Sequence, residues 1–336
     1  MDTSANESPF SNEAYARADT PAIIYAGSGP LYAAVNESTD RVYVSNSDSA
    51  NVSVIDAVNN TVLDMVSVAP QPMNLAVAES AGRVIVGNGS SFAIYEIDTT
   101  DNNTPTRHDT MKMPVAIAVD EPNGRFYATF ISSSQLTVWD LDTFTLLHSH
   151  TVQSLPSGVA INTFTGRVYV ANSGSNNSVS VFDIASDAVI ETIIVGMKPV
   201  DVDVNRLTNM IYTANYTSGD VTVIDGDTNS VIDTIAVGEE PGGISVDETR
   251  NIIYAANTTS GTISIISGET HSVIGELEIG SDPWDVGIHT GLNKLFIPVA
   301  TPDQVVVRAG YQENDSCYEN PPEGATSCCN RDSDVC

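Results

Sequence analysis

Residues 199–238 read PVDVDVNRLTNMIYTANYTSGDVTVIDGDTNSVIDTIAVG, and the same pattern recurs seven times along the chain. Its opening proline stands at positions 30, 72, 114, 156, 199, 241 and 283, a step of 42 or 43 residues. After each proline comes an apolar triplet such as Ala33 to Val35 or Ile244 to Val246. A stretch such as RVYVSN (41–46), RVYVAN (167–172) or IIYAAN (252–257) follows. Then come VSVID (52–56) or VSVFD (179–183), and last VIETIIVG (189–196). These four segments are rich in Val, Ile, Tyr and Thr with period two, and Asn, Asp, Gly, Ser and Pro separate them, which is the signature of short strands joined by tight turns. Four strands per unit of about 42 residues, in seven copies, predict a seven-bladed β-propeller with four-stranded blades.

The seventh unit stops early. After Pro283 it supplies strands at 286–288, 294–299 and 304–308, and no fourth. The segment IIYAG (23–27) lies just ahead of Pro30 as IAVG (235–238) lies ahead of Pro241. The N-terminal strand is therefore expected to complete blade 7 and close the ring, which removes two exposed edges. The chain divides into a polar extension (1–20), one closed propeller (21–310) and a cysteine-containing tail (311–336).

The chain has 43 acidic and 13 basic residues, three of them lysines, and a formal charge of −30. That sign opposes a polyanion, so nucleic acid is not an expected partner. Such charge repels itself and is better tolerated in salt, so it fits a salty exterior or an ordinary solvated surface. No apolar run approaches the roughly 20 residues of a membrane helix, and residues 1–20 lack the apolar core of a signal peptide. Direct membrane insertion is not expected. Cys317, Cys328, Cys329 and Cys336 are all in the tail. They read as a disulfide knot of an oxidising compartment; metal binding is the alternative, although the C-x10-C-C-x6-C spacing lacks paired C-x2-C hooks. Glycosylation sequons begin at Asn6, Asn36, Asn51, Asn59, Asn88, Asn102, Asn176, Asn215, Asn257 and Asn314, many of them in turns.

The stretches YVSN (43–46), YVAN (169–172), YTAN (212–215) and YAAN (254–257), each followed by a polar turn and a V-S/T-V-I/F-D variant, resemble the YVTN β-propeller repeat. The resemblance spans about residues 21–310 and weakens at RVIVGN (83–88), RFYATF (125–130) and KLFIPV (294–299). It implies the propeller fold and an exported setting, with surface, adhesive or assembly roles. No catalytic set travels with it.

Most polar positions that recur have a structural reading. Asn46, Asn88, Asn172, Asn215 and Asn257 share one repeat position, and Asp56, Asp98, Asp140, Asp183 and Asp225 share another at the turn after the third strand, where side chains bond local backbone. DGDTNS (225–230) opens like a calcium loop but lacks the glycine and glutamate that would complete it. No metal and no cofactor are assigned. The middle of the innermost strand is small in most blades (Ala34, Ala76, Ala118, Ala160, Ser245, Gly287), and Asp203 breaks that series.

Function is sought where one blade departs from its siblings. The loops entering the innermost strands single out Tyr32, Asn74, Asp201, Trp284 and Asp285 as a candidate binding rim at the channel mouth. Packing between blades explains Trp284 equally well. The five histidines, at 108, 148, 150, 271 and 289, are scattered; only His148 and His150 are close, sharing one strand face. No catalytic motif is present. The sequence thus favours a non-enzymatic surface, adhesive or assembly module that meets protein subunits or glycans, with a homo-oligomer or filament left open. The alternative is a propeller enzyme, a lactonase, lyase or quinoprotein-like oxidoreductase, with its site at the channel mouth.

Overall fold

The structure, a computed structural model, describes residues 21–101 and 104–312. The 1–20 extension, the cysteine tail with its four cysteines, and Asn6, Asn102 and Asn314 lie outside the described residues. The described chain folds into seven four-stranded antiparallel sheets, each built from consecutive strands except the last. In blade 5 the order from the axis outward is Pro199–Asn205, Met210–Asn215, Asp220–Asp225 and Ser230–Ala236. Blade 7 takes Gly287–His289, Lys294–Val299 and Gln304–Ala309 from the C-terminal side, and Ala22–Ile24 pairs onto its outer edge.

The closing strand is in register Ala22↔Val307, Ile23↔Val306 and Ile24↔Val305. It is shorter and begins earlier than the expected 23–27. The seam is reinforced by Asp303, whose carboxylate accepts from the Ser28 hydroxyl at 2.6 Å and from the Gly29 N–H at 2.8 Å. The innermost strand of blade 7 also starts later than expected, at Gly287, with only an isolated bridge from Pro283 to Val299 ahead of it. Pro298 sits in the facing strand and has no N–H to continue the ladder there.

The core is a series of seven clusters, six spanning adjacent blades in sequence and the seventh joining blades 7 and 1. Alternation on the second strand sends Tyr43, Tyr127, Tyr169, Tyr212 and Tyr254 toward the following blade, and all five are fully buried. The repeated asparagine is equally buried. Except at Asn88, whose amide donates to Ala69 O and Pro70 O, its amide reaches across to the third strand: Asn215 Nδ2 donates to Thr222 Oγ1 at 2.8 Å, Asn172 Nδ2 to Ser180 Oγ at 3.0 Å and Asn257 Nδ2 to Ser264 Oγ at 2.9 Å. A glycine of the preceding blade closes over it. A Cβ on Gly196 would lie 2.6 Å from Asn215 Nδ2, and one on Gly238 2.7 Å from Asn257 Cβ, so the VG ending of the repeat is a packing requirement. The repeated aspartates cap their turns, as Asp140 Oδ1 does for the N–H groups of Asp142 and Thr143. The bonds from Thr143 hold that carboxyl below the usual range.

Candidate functional site: the axial channel

The innermost strands are sheet edges, so half of their backbone N–H groups face the channel without a ladder partner. At three boundaries a side chain two residues after the repeat proline supplies the acceptor. Asn74 Oδ1 accepts from Ile117 N, Asp201 Oδ2 from Ile244 N and Asp285 Oδ2 from Ala33 N, each at 3.0 Å. Every bond runs to the third residue after the proline of the following blade. Asp203, two residues further along, does the same one step deeper, accepting from Val246 N at 2.8 Å. The structure therefore brings Asp201, Asp203 and Asp285 into one channel, with Tyr32 beside them.

Their surroundings set their chemistry. Burial pushes Asp201 up to about 8, helped by the charge of Asp285 and opposed by the Ile244 N–H. Asp203 rises to about 7, again chiefly through burial, with the N–H groups of Val204 and Val246 pulling the other way and Glu248 adding repulsion. Asp285 rises to about 6 by burial against the bonds from Ala33 and Val286. Burial also raises the Tyr32 phenol. Three carboxyls thus change charge near neutrality, which is the range of proton transfer.

Trp284 packs flat against blade 6: a Cβ on Gly242 would lie 3.4 Å from the indole. Its ring also meets Tyr216 at 6.4 Å, and Lys198 Nζ stands 4.1 Å over the Tyr216 ring. The Trp284 N–H is buried beside the Tyr32 hydroxyl, within interaction range but outside good hydrogen-bond geometry. Of the five rim residues, then, Asn74, Asp201 and Asp285 tie neighbouring blades, Trp284 packs on one, and Tyr32 is enclosed among them.

The opposite mouth carries a feature the sequence reading does not single out. Seven residues after the proline stand Glu37, Glu79, Glu121, Thr163, Arg206, Glu248 and Thr290. Glu79 Oε1 accepts from Glu37 N at 2.7 Å, Glu121 Oε1 from Ser80 N at 2.8 Å, Glu248 Oε1 from Arg206 N at 2.8 Å and Glu37 Oε1 from Thr290 N at 2.6 Å. Each glutamate holds the corresponding turn of the preceding blade. Arg206 adds a two-pronged ion pair to Glu248, Nε to Oε1 at 2.7 Å and a terminal nitrogen to Oε2 at 2.8 Å. At this end lies a cavity of about 500 Å³, lined by Asp203, Arg206, Glu248, Glu37, Thr163 and Thr290 among others. None of the five rim residues lines it; Asp203 does.

The sequons divide by burial. Asn36, Asn88, Asn215 and Asn257 are buried, with side chains engaged in hydrogen bonds, whereas Asn59 and Asn176 are exposed and Asn51 is half-buried. Among the described residues no helix is long and apolar enough to cross a membrane.

Residues 126–237 match the model of the family described as "Lactonase, 7-bladed beta-propeller". That segment is about a third of the chain, from the second strand of blade 3 to the end of blade 5. Hydrazine synthase of Kuenenia stuttgartiensis is a structural relative with a TM-score of 0.75 and 16% sequence identity, covering 84% of this chain and 96% of that one. At that identity the likeness is one of fold. No curated protein matches the chain. The chain is a seven-bladed β-propeller.

Proposed function

We propose that this propeller is a non-catalytic module of the YVTN-repeat type, exported and displayed at a cell surface, where it makes structural, adhesive or assembly contacts with protein subunits or glycans. The observation that carries this reading is the use to which the axial side chains are put: Asn74, Asp201, Asp203 and Asp285 each hold a backbone N–H of the next blade. A carboxylate committed to such a bond is an element of the scaffold. The net charge of −30, the exposed sequons at Asn59 and Asn176 and the cysteine tail support an exterior location.

One observation favours a second reading. The lactonase-family match covers blade 5, and blade 5 supplies Asp203 and Arg206 to the 500 Å³ cavity. In a lactone hydrolase the near-neutral Asp203 carboxyl would move the proton of an attacking water, and Arg206 would balance charge on the ring-opened carboxylate. Incubation with γ- and δ-lactones, with and without Mg²⁺, Ca²⁺ or Zn²⁺, separates the two readings. The module account expects the rate of buffer alone. Hydrolysis that Asp203→Asn abolishes would replace it with the enzyme. Protease shaving of intact source cells tests the location: cleavage of the propeller is expected, and full protection would contradict surface display.

A further inference from the structure

Blade 3 ends in the strand Leu146–Thr151, in which His148 and His150 share one face. Asp187 sits at the turn before the fourth strand of blade 4, with φ of 53°, a left-handed conformation that aspartate tolerates. The two blades meet so that His148 Nδ1 lies 3.2 Å from Asp187 Oδ2, and His150 Nε2 lies 3.1 Å from Asp187 Oδ1. The three donor atoms are all within 4.8 Å of one another. We propose that His148, His150 and Asp187 bind one divalent transition-metal ion of the zinc class, stapling blade 3 to blade 4.

Two further observations point to a ligand. His150 occupies the register position that five other blades fill with buried aliphatic residues, Ile24, Val66, Ile193, Ile235 and Leu277; blade 2 has His108 there, and its Nε2 is hydrogen-bonded to Glu96 of its own blade at 3.2 Å. His150 lies against the Phe182 ring at 4.7 Å, as His108 lies against Phe144 at 4.1 Å, but its Nε2 is not bonded as that of His108 is. Its Nε2 is buried and lacks a hydrogen-bond partner: Asp187 Oδ1 is close enough but out of line for one. A nitrogen with such an oxygen beside it, rather than ahead of it, is disposed as two ligands of a common ion are. Donors about 2.0–2.1 Å from a tetrahedral ion are themselves about 3.3 Å apart, close to the distances found.

Two imidazoles and one carboxylate select zinc, nickel, cobalt or copper over calcium and magnesium, which prefer all-oxygen shells. His148 and Asp187 are half-exposed, so the remaining coordination position opens to water. The boundary between blades 5 and 6 provides an internal control. Asp233 holds the place of His148, Ile235 that of His150 and His271 that of Asp187, and there His271 Nδ1 and Asp233 Oδ2 are 3.8 Å apart. That boundary has a pair where blades 3 and 4 have a trio.

Titration of the full chain with Zn²⁺ and Ni²⁺ by calorimetry, with Mg²⁺ as the control for the acidic surface, tests the site by difference. His150→Leu restores the sibling residue, and Asp187→Asn restores the residue of the matching turn in blade 5, Asn229, so both variants should fold with an unchanged or higher melting temperature without metal. The wild type is expected to show a binding event, and a rise in melting temperature, that Mg²⁺ does not reproduce. Each variant should lose that event, with affinity reduced by about tenfold or more. Co²⁺ should give the wild type a visible spectrum with nitrogen donors that His150→Leu lacks. Identical Zn²⁺ titrations for wild type and His150→Leu would overturn the proposal, as would a wild-type response no larger than that to Mg²⁺.

Discussion

The innermost strands of blades 3 and 5 read PVAIAVD (114–120) and PVDVDVN (199–205). They have the same length, pair with their second strands in the same register and carry the same bulge after the second residue. Ala116 and Ala118 in one become Asp201 and Asp203 in the other. In blade 3 the two alanines are buried and join the core with Tyr127 and Val159. In blade 5 the two carboxyls take the free N–H groups of Ile244 and Val246 and rise to near-neutral titration. The lesson is that the ring does not need those bonds everywhere: blade 3 leaves the same positions apolar within the same fold. Blade 5 therefore carries a charge-sensitive tie that the architecture does not demand.

Both blades belong to one closed ring, and the largest effect comes from opening it. Deletion of residues 1–28 removes the strand on Val305–Val307 and the Ser28 hydroxyl bonded to Asp303, so the product should aggregate or lose about 10 °C or more in melting temperature. An equally stable monomer would break the frame in which two blades can be compared. Next, Ala118→Asp brings the blade 5 residue into blade 3, whose cavity wall already faces Asp203. Chemical denaturation at pH 8 should show a loss of about 3–5 kcal/mol, smaller at pH 5 where the new carboxyl stays protonated. No loss at pH 8 would mean that the channel solvates charge freely.

The reverse exchange is sharper. Asp203→Asn keeps an oxygen for the Val246 N–H, as Asn74 does for Ile117, and removes the charge. Because the folded-state pKa of Asp203 is raised to about 7, its protonated form stabilises the fold most fully below the ordinary carboxyl pKa, and that contribution is lost as pH rises from about 4 through 7. The variant should gain on the order of 2 kcal/mol over the wild type at pH 8 and little at pH 4. A pH-independent difference would assign the effect to packing. The smallest effect is general: raising salt from about 10 mM to 1 M shortens the Debye length from roughly 30 to 3 Å, and the melting temperature of a −30 protein should rise by a few degrees. A flat curve would show that surface repulsion does not contribute to the pH effects above.

The propeller, its blade count and its closure are legible in the sequence because proline marks the inner edge of every blade, and most blades repeat tyrosine and asparagine on the second strand and several a glycine at the end of the fourth. Asp201, Asp203 and Asp285 stand out as departures from that repeat. Their use is not legible, since whether a carboxylate meets solvent or a neighbour's N–H depends on the angle between blades. The glutamates at 37, 79, 121 and 248 keep a fixed offset from the prolines, yet a glutamate in a polar turn has the same sequence signature whether it is solvated or bonded. The trio of His148, His150 and Asp187 is harder still, because its third member comes from the next blade and becomes a neighbour only through the packing of one blade's edge on the following turn.

Desolvation in the channel moves three axial carboxyls out of the ordinary range. Selective ¹³C labelling of aspartate and a carboxyl-carbon NMR titration would follow them individually, with Asp201→Asn, Asp203→Asn and Asp285→Asn giving the assignments. Midpoints near 8, 7 and 6 are expected for Asp201, Asp203 and Asp285, while turn aspartates such as Asp140 titrate below the usual carboxyl value. All three axial groups titrating near 4 would contradict the account and make blade 5 the electrostatic equal of blade 3.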